Sequence, residues 1–110
     1  MTRTISDLQM EIDEGDMLMT RCISQGIDGF VSSLYDRAVV DWRMYRIAEW
    51  SRQLSDYDRQ QVPSVDWRSL QRLRTRLAHR FHTIDPVLMF VFAAMDVPKM
   101  QFALHALVKP

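Results

Sequence analysis

The chain has 110 residues, and its 14 lysines and arginines balance 14 aspartates and glutamates, so the formal net charge is zero. A composition that is 47% hydrophobic and 25% charged predicts one globular domain over residues 1–110. Zero net charge argues against a protein that coats nucleic acid by bulk charge, although a local basic patch remains compatible with it. The single cysteine, Cys22, cannot form an internal disulfide, which favours a cytoplasmic protein.

Neither a signal peptide nor a membrane span is predicted. The first residues are polar and are followed by acids, unlike a secretory leader. The longest uninterrupted apolar run covers residues 87–95, about half of what a transmembrane helix requires. We therefore expect no membrane association.

Helix breakers are scarce, with three glycines and four prolines, and no stretch alternates strictly between apolar and polar residues. This predicts an all-α, up-and-down bundle of four to five helices. Long helices are expected near residues 4–25, 30–54, 67–82 and 85–107, with a polar loop at 55–65 and a possible separate short helix at 30–35.

Several residues are predicted to begin or end these helices. Gly26 and the pair Asp28-Gly29 should end the first helix. Asp66 should cap the third helix, with Ser64 as a competing cap, and Asp85 followed by proline should open the fourth. Pro98 is expected to kink or split that last helix.

The charges are unevenly distributed. Residues 1–30 hold six acids against two arginines, whereas residues 67–84 hold five arginines, two histidines and no acid. A helix advances 100° per residue, so Arg68, Arg72, Arg76 and His79 share one face of the third helix, away from its leucines. Arginines spaced by four without an acid repel one another and normally face an anion.

Arg74 lies within the apolar sector of this helix, between the directions of Trp67 and Leu70. A buried guanidinium needs a carboxylate, a carbonyl or a phosphate as its partner. The structural alternative is an arginine that pairs with an acid of the first or second helix, or that reaches solvent past Trp67.

His79 has two interpretations. It can exchange a proton at neutral pH, or it can be an ordinary surface histidine. His79 and His82 are three residues apart and could share a metal, but no acid or cysteine adjoins them at ligand spacing. No metal and no cofactor are therefore predicted.

This helix resembles the HepT-like branch of the HEPN superfamily. The family signature is Arg-Asn, three residues, His, one residue and Tyr; residues 74–81 read Arg-Thr-Arg-Leu-Ala-His-Arg-Phe. Residues 36–55 are similar to the family's second long helix with its Gly-Glu-Ala segment, in which Ala48 replaces the glycine. Residues 96–98, Asp-Val-Pro, are similar to the Asp-Leu-Pro that interrupts its last helix.

The resemblance implies a small helical bundle that forms a symmetric dimer. It also implies a ribonuclease toxin of a toxin–antitoxin pair of type II or VII, partnered by a minimal nucleotidyltransferase antitoxin. The catalytic pair of the family falls on Arg74 and His79. RNA would be bound by nearby polar and basic residues, which are Arg72, Thr75, Arg76 and Arg80.

Two residues depart from the family pattern. Thr75 replaces asparagine and lacks the two donors of an amide. Phe81 replaces the tyrosine to which the partner enzyme of the family attaches AMP, and it has no hydroxyl to modify. Silencing would then occur by binding alone, or this chain is no longer toxic.

Metal-independent RNA cleavage requires a base, an acid and cations. Arg74 and His79 are about 140° apart on an ideal helix, so one straight helix does not direct both at a single phosphate. Either the helix loosens near His79, or a two-fold dimer brings both copies together. The apolar residues 87–95, with Met100, Phe102, Ala103, Leu104 and Leu107, favour a dimer interface, although a central core helix would explain them too.

Three functions compete: a ribonuclease toxin, a catalytically weakened module that docks a nucleotidyltransferase, and a helical dimer without a nucleic-acid role. Thr75 and Phe81 favour the module, and the arginine face argues against the third function.

Overall fold

The computed structural model of the chain describes residues 2–80 and 84–108. This part is helical and contains no strand. In chain order its helices are α1 (Ile5–Ile23), α2 (Gly26–Ser32), α3 (Leu34–Arg52), α4 (Asp56–Gln60), α5 (Trp67–Arg80), α6 (Pro86–Val91) and α7 (Val97–Val108). A π-helical segment, Phe92–Asp96, joins α6 to α7. The prediction of an all-α bundle is confirmed.

The long helices run antiparallel to their neighbours. α1 packs on α3 and α7, and α3 also packs on α5. The start of α1 lies at the end of α3, where Arg3 Nε donates to Gln53 Oε1 at 3.1 Å. Further along α1, Asp13 accepts from Gln101 of α7 at 2.7 Å. These contacts place α3 at the centre of the bundle, between α1 and α5.

The break between the first two predicted helices occurs at one residue. Gly26 has a φ of +85°, the left-handed conformation that glycine adopts without a steric cost. Asp28 and Gly29 lie inside α2, so the prediction that they end the first helix is wrong. The predicted second helix is split at Ser33, whose hydroxyl accepts from the backbone N–H of Asp36 at 3.1 Å and caps α3.

The segment predicted as a polar loop, residues 55–65, contains the short helix α4, so that prediction is wrong for residues 56–60. Ser55 provides the cap, because its hydroxyl accepts from the N–H of Asp58 at 3.1 Å. The cap of α5 is Asp66 and not Ser64: its Oδ1 accepts from the N–H of Ser69 at 3.0 Å. Asp85 caps α6 as predicted, accepting from the N–H of Val87 at 2.9 Å.

Pro98 interrupts the last helix without ending it. It is the second residue of α7, and the irregular π-helical turn lies just before it. A proline has no N–H to offer the carbonyl four residues earlier, and the wider π-helical turn accommodates that loss. The predicted interruption is confirmed, and its position is shifted toward the N-terminal side of the proline.

The core is built from side chains of every long helix. Its largest fully buried apolar members are Leu8, Ile12, Phe30, Val40, Met44, Ile47, Met89 and Leu104. A charged cluster lies beside it: Glu11 is 1% exposed, and its carboxylate forms salt bridges with Nη2 of Arg43 and of Arg46, both at 2.6 Å. Gly15 lets the Arg43 guanidinium lie against α1, since a Cβ there would stand 2.2 Å from Arg43 Nε.

The last helices leave apolar surface in solvent. Val87, Leu88, Val91 and Met95 are exposed by 43%, 38%, 42% and 53%. Met89, Ala93, Met100 and Leu104 are 0–5% exposed and belong to the core, as the core-helix alternative predicted for them, so Met100 and Leu104 are not available to a dimer interface. By length and composition alone, the run Pro86–Leu107 is also sufficient to cross a membrane, which the count of consecutive apolar residues did not indicate. We call Val87, Leu88, Val91 and Met95 the exposed apolar strip.

Candidate functional site

Three leucines and a tryptophan fix the rotation of α5. Leu70, Leu73 and Leu77 are 3–6% exposed and face α3. Trp67 anchors the first turn, since its Nε1–H donates to the carbonyl oxygens of Arg59 at 3.0 Å and Val62 at 3.1 Å. With the leucines inward, the opposite side of α5 must face solvent.

That opposite side carries the predicted basic residues. Arg68, Arg72, Arg76 and His79 are all exposed, and we call them the basic face. Arg72 Nη2 donates to Ser69 Oγ at 3.0 Å, which is a local contact within the helix. The face thus presents cations to solvent at intervals of one helical turn, at a spacing suited to the phosphates of a nucleic-acid backbone.

Arg74 lies at the boundary between the leucines and the basic face. Its Nε–H donates to Glu49 Oε1 of α3 at 2.8 Å, and the Arg74 and Glu49 side chains are 28% and 17% exposed. The partner is thus an acid of the predicted second helix, which was one of the structural alternatives for this residue. Within residues 2–80 and 84–108, the terminal nitrogens Nη1 and Nη2 of Arg74 have no hydrogen bond.

The Glu49 carboxylate accepts hydrogen bonds from several side chains. Arg52 donates from Nη2 at 2.6 Å and Gln53 from Nε2 at 2.9 Å, in addition to Arg74. These hydrogen bonds, led by that of Arg52 and opposed by burial, lower the pKa of Glu49 from 4.5 to about 2. Glu49 is therefore ionised at neutral pH and holds the inner edge of the Arg74 guanidinium.

Sequence reasoning did not name Glu49 as a site residue. The family resemblance could have pointed to it, because Glu49 is the glutamate of the segment that resembles Gly-Glu-Ala. What sequence alone lacked was the register of α3 against α5, which places Glu49 opposite Arg74.

Arg74 and His79 do not converge within one chain. α5 is a regular α-helix through Arg80, so the alternative of a helix that loosens near His79 is wrong for the described residues. A regular helix separates the two side chains by about 140° in direction and about 7.5 Å along the axis. His79 is exposed, whereas Arg74 is half-buried against α3.

The remaining predicted site residues have different outcomes. Thr75 is exposed, and its hydroxyl donates to the carbonyl oxygen of Gln71 at 3.1 Å within the helix. The side chain of Arg80, together with Phe81 and His82, lies outside the described residues. In the part of the chain that is described, no three His, Cys, Asp or Glu residues group as metal ligands would.

No protein-family model matches the chain, and no solved structure matches it. The chain is similar to a protein of Methanocaldococcus jannaschii named "Putative RNase MJ1380", with 31% identity over 72 residues. The matched stretch covers 66% of this chain and 66% of that protein. This likeness to a protein named as a ribonuclease supports a ribonuclease-like family.

Proposed function

We propose that the chain is a metal-independent endoribonuclease, specifically a HepT-like toxin of the HEPN superfamily. The observation that carries this proposal is the arrangement on α5, where exposed His79 and three exposed arginines share a face and Glu49 holds Arg74 at its edge. The likeness to a protein named as a ribonuclease supports RNA as the substrate.

The chemistry follows from the side chains available. His79 removes the proton of a ribose 2′-hydroxyl, and the 2′-oxygen forms a bond to the adjacent phosphorus. The bond from phosphorus to the 5′-oxygen breaks, and that oxygen takes a proton. The products are a 2′,3′-cyclic phosphate and a 5′-hydroxyl. The Nη1 and Nη2 groups of Arg74 stabilise the charge that develops on the phosphate oxygens.

A second copy of the chain completes this site. One copy cannot direct Arg74 and His79 at one phosphate, so we assign the proton transfers to His79 of both copies in a symmetric dimer. The exposed apolar strip supports this assembly, since exposed apolar patches on soluble proteins mark interaction surfaces.

The proposed partner is a minimal nucleotidyltransferase antitoxin in the cytoplasm. This part of the proposal rests on the family resemblance. Phe81 has no hydroxyl to accept AMP, so the antitoxin silences this chain by binding and not by modification.

One observation favours a second candidate function, a catalytically weakened module that partners the nucleotidyltransferase. The Thr75 hydroxyl donates to the carbonyl of Gln71. The residue at the position of the family's asparagine therefore uses its one side-chain hydrogen-bond donor within its own helix. Such a chain would bind RNA through the basic face and cleave it slowly.

The test is inducible expression of the parent, Arg74→Ala and His79→Ala in a bacterial host, with growth and RNA integrity followed over time. We expect arrest and RNA fragments ending in 2′,3′-cyclic phosphate from the parent alone, and the same fragments from the purified protein in EDTA. His105→Ala is the matched control, because His105 is 48% exposed and lies on α7, away from the basic face. Equal growth and intact RNA in all four strains would favour the module.

A further inference from the structure

A groove of about 630 Å³ lies between the first half of α3 and the end of α5, closed at one side by the start of α6. Its size falls within the range of small-molecule sites in proteins. Ala78 lines it from α5 and is followed in the chain by His79, whose side chain is directed about 100° further around the helix. A strand bound along the basic face could therefore place one of its bases in this groove. The sequence interpretation assigned no role to it.

The wall of the groove carries an aromatic platform. Trp42 and Tyr45 both line it, and their rings are stacked with centroids 6.0 Å apart and planes 23° from parallel. Trp42 is 56% exposed, an unusual position for the largest aromatic side chain. An exposed indole beside a groove is the surface on which proteins stack unpaired nucleobases.

Among the described lining residues, the charged groups of the groove are Asp41 and Arg37, one turn apart on α3. Asp41 is half-buried, and among residues 2–80 and 84–108 its carboxylate has neither a hydrogen bond nor an ion pair. Burial raises the pKa of Asp41, against the opposing effect of Arg37. Arg37 makes a long hydrogen bond, with Nη1 3.5 Å from the carbonyl oxygen of Val31. A carboxylate kept partly desolvated without a partner carries a free-energy cost that a ligand would remove.

These groups match one nucleobase better than the others. A carboxylate accepts two hydrogen bonds and donates none, and a guanidinium only donates. The Watson–Crick edge of guanine presents two adjacent donors, N1–H and the N2 amino group, followed by the O6 acceptor. Adenine and cytosine place an acceptor beside their single amino group, and uracil places its one donor between two acceptors.

We propose that this groove binds an unpaired guanine of the RNA, stacked on Trp42, with Asp41 accepting from N1–H and N2–H and Arg37 donating to O6. The inference rests on the proposed function, because it assigns the base specificity of the same RNA-binding surface. Asp41, Arg37 and Trp42 are specificity-determining residues, and they take no part in the proton transfers of His79.

The test measures the binding of short single-stranded RNA by fluorescence anisotropy, in a His79→Ala background that leaves the RNA intact. The probes are an oligouridylate and the same oligomer with one central uridine replaced by guanosine, adenosine or cytidine. We expect the guanosine probe to bind most tightly. Asp41→Asn should remove that preference, with an affinity loss of about 5- to 100-fold for the guanosine probe alone. Trp42→Ala should weaken all four probes by about 5- to 100-fold.

Matched controls come from the same chain. Tyr57→Ala removes an aromatic ring that is 69% exposed on α4, and Asp16→Asn neutralises an exposed acid on α1. Neither should change the affinity for any probe. Circular dichroism and sedimentation of each variant exclude unfolding or a changed assembly as the cause.

The outcomes separate this inference from the function on which it rests. If no probe binds, the proposed ribonuclease function itself fails. If the probes bind equally, and Asp41→Asn and Trp42→Ala bind them as the parent does, RNA binding stands and the guanine site is overturned.

Discussion

Arg74 and Glu49 form an ion pair across α5 and α3 in which Glu49 holds only the Nε edge of the guanidinium, at 2.8 Å. This geometry reconciles the two interpretations of Arg74. The residue is a structural link between two helices, and within the described residues its terminal nitrogens make no hydrogen bond. A lysine could not serve both purposes, because its single ammonium has no second edge.

The ion pair makes stability depend on pH in a defined direction. The folded-state pKa of Glu49 is lowered from 4.5 to about 2. The stabilisation of the fold by ionised Glu49 is therefore complete above pH 4.5 and is lost as the pH falls toward 2. We expect Glu49→Gln to lower the free energy of unfolding by about 1–3 kcal/mol near neutral pH. The difference from the parent should shrink progressively below pH 4.5, as urea denaturation at a series of pH values would measure.

Asp16→Asn is the control for that series, because it removes an exposed acid on α1. A Glu49→Gln deficit that stayed constant from neutral to acid pH would contradict the assignment. It would mean that the side chain stabilises the fold by packing and not by its charge.

The close approach of Arg43 to Gly15 gives a second prediction. Alanine is favoured over glycine by about 1 kcal/mol inside a helix, so Gly15→Ala would stabilise α1 if Arg43 could move aside. Arg43 is anchored to buried Glu11 at 2.6 Å, and a Cβ at residue 15 would stand 2.2 Å from its Nε. We therefore expect Gly15→Ala to cost about 1–3 kcal/mol in denaturant unfolding.

A double-mutant cycle identifies the cause of that cost. In an Arg43→Ala background the obstruction is absent, so Gly15→Ala should be neutral or stabilising. Equal costs in both backgrounds would show that Arg43 is not what excludes a side chain at residue 15.

The exposed apolar strip leads to a prediction about assembly. Val91→Glu and Met95→Glu should shift the proposed dimer to monomer in sedimentation equilibrium, because a charge cannot be buried unpaired in an apolar interface. Met17→Glu is the matched control, since Met17 is 83% exposed on α1 and lies outside the strip. A parent that is monomeric at every concentration, or that floats with lipid vesicles, would contradict the dimer.

The capping signals of the third and fourth predicted helices were confirmed. Asp66 and Asp85 cap their helices as their spacing from the following residues indicated, because a cap depends on three or four consecutive residues. The helix α4 was missed for the opposite reason. Its five residues have no apolar periodicity, and its stability comes from the Ser55 cap and from Arg59, which donates to the Leu54 carbonyl at 2.7 Å.

The candidate site was predictable only in part. The basic face follows from helical periodicity alone, and the exposure of Arg68, Arg72, Arg76 and His79 agrees with it. The contact of Glu49 with Arg74, and the groove that Asp41 and Trp42 line together with α5, depend on how α3 lies against α5. No pattern within either helix fixes that register.

Thr75 gives the last prediction, since it separates a weakened enzyme from an efficient one. Its hydroxyl donates to the Gln71 carbonyl at 3.1 Å, so it has no donor left for a phosphate beside Arg74. Thr75→Asn would supply an amide with two donors at the same exposed position. One added hydrogen bond in the transition state corresponds to about a 5-fold increase in the rate of RNA cleavage.

Thr75→Ser is the control, because it keeps the hydroxyl and should not cleave RNA faster than the parent. Thr75→Asn combined with Arg74→Ala should be inactive, since the amide assists the arginine and does not replace it. A rate unchanged by Thr75→Asn would remove residue 75 from the site and leave Arg74 and His79 to account for cleavage by themselves.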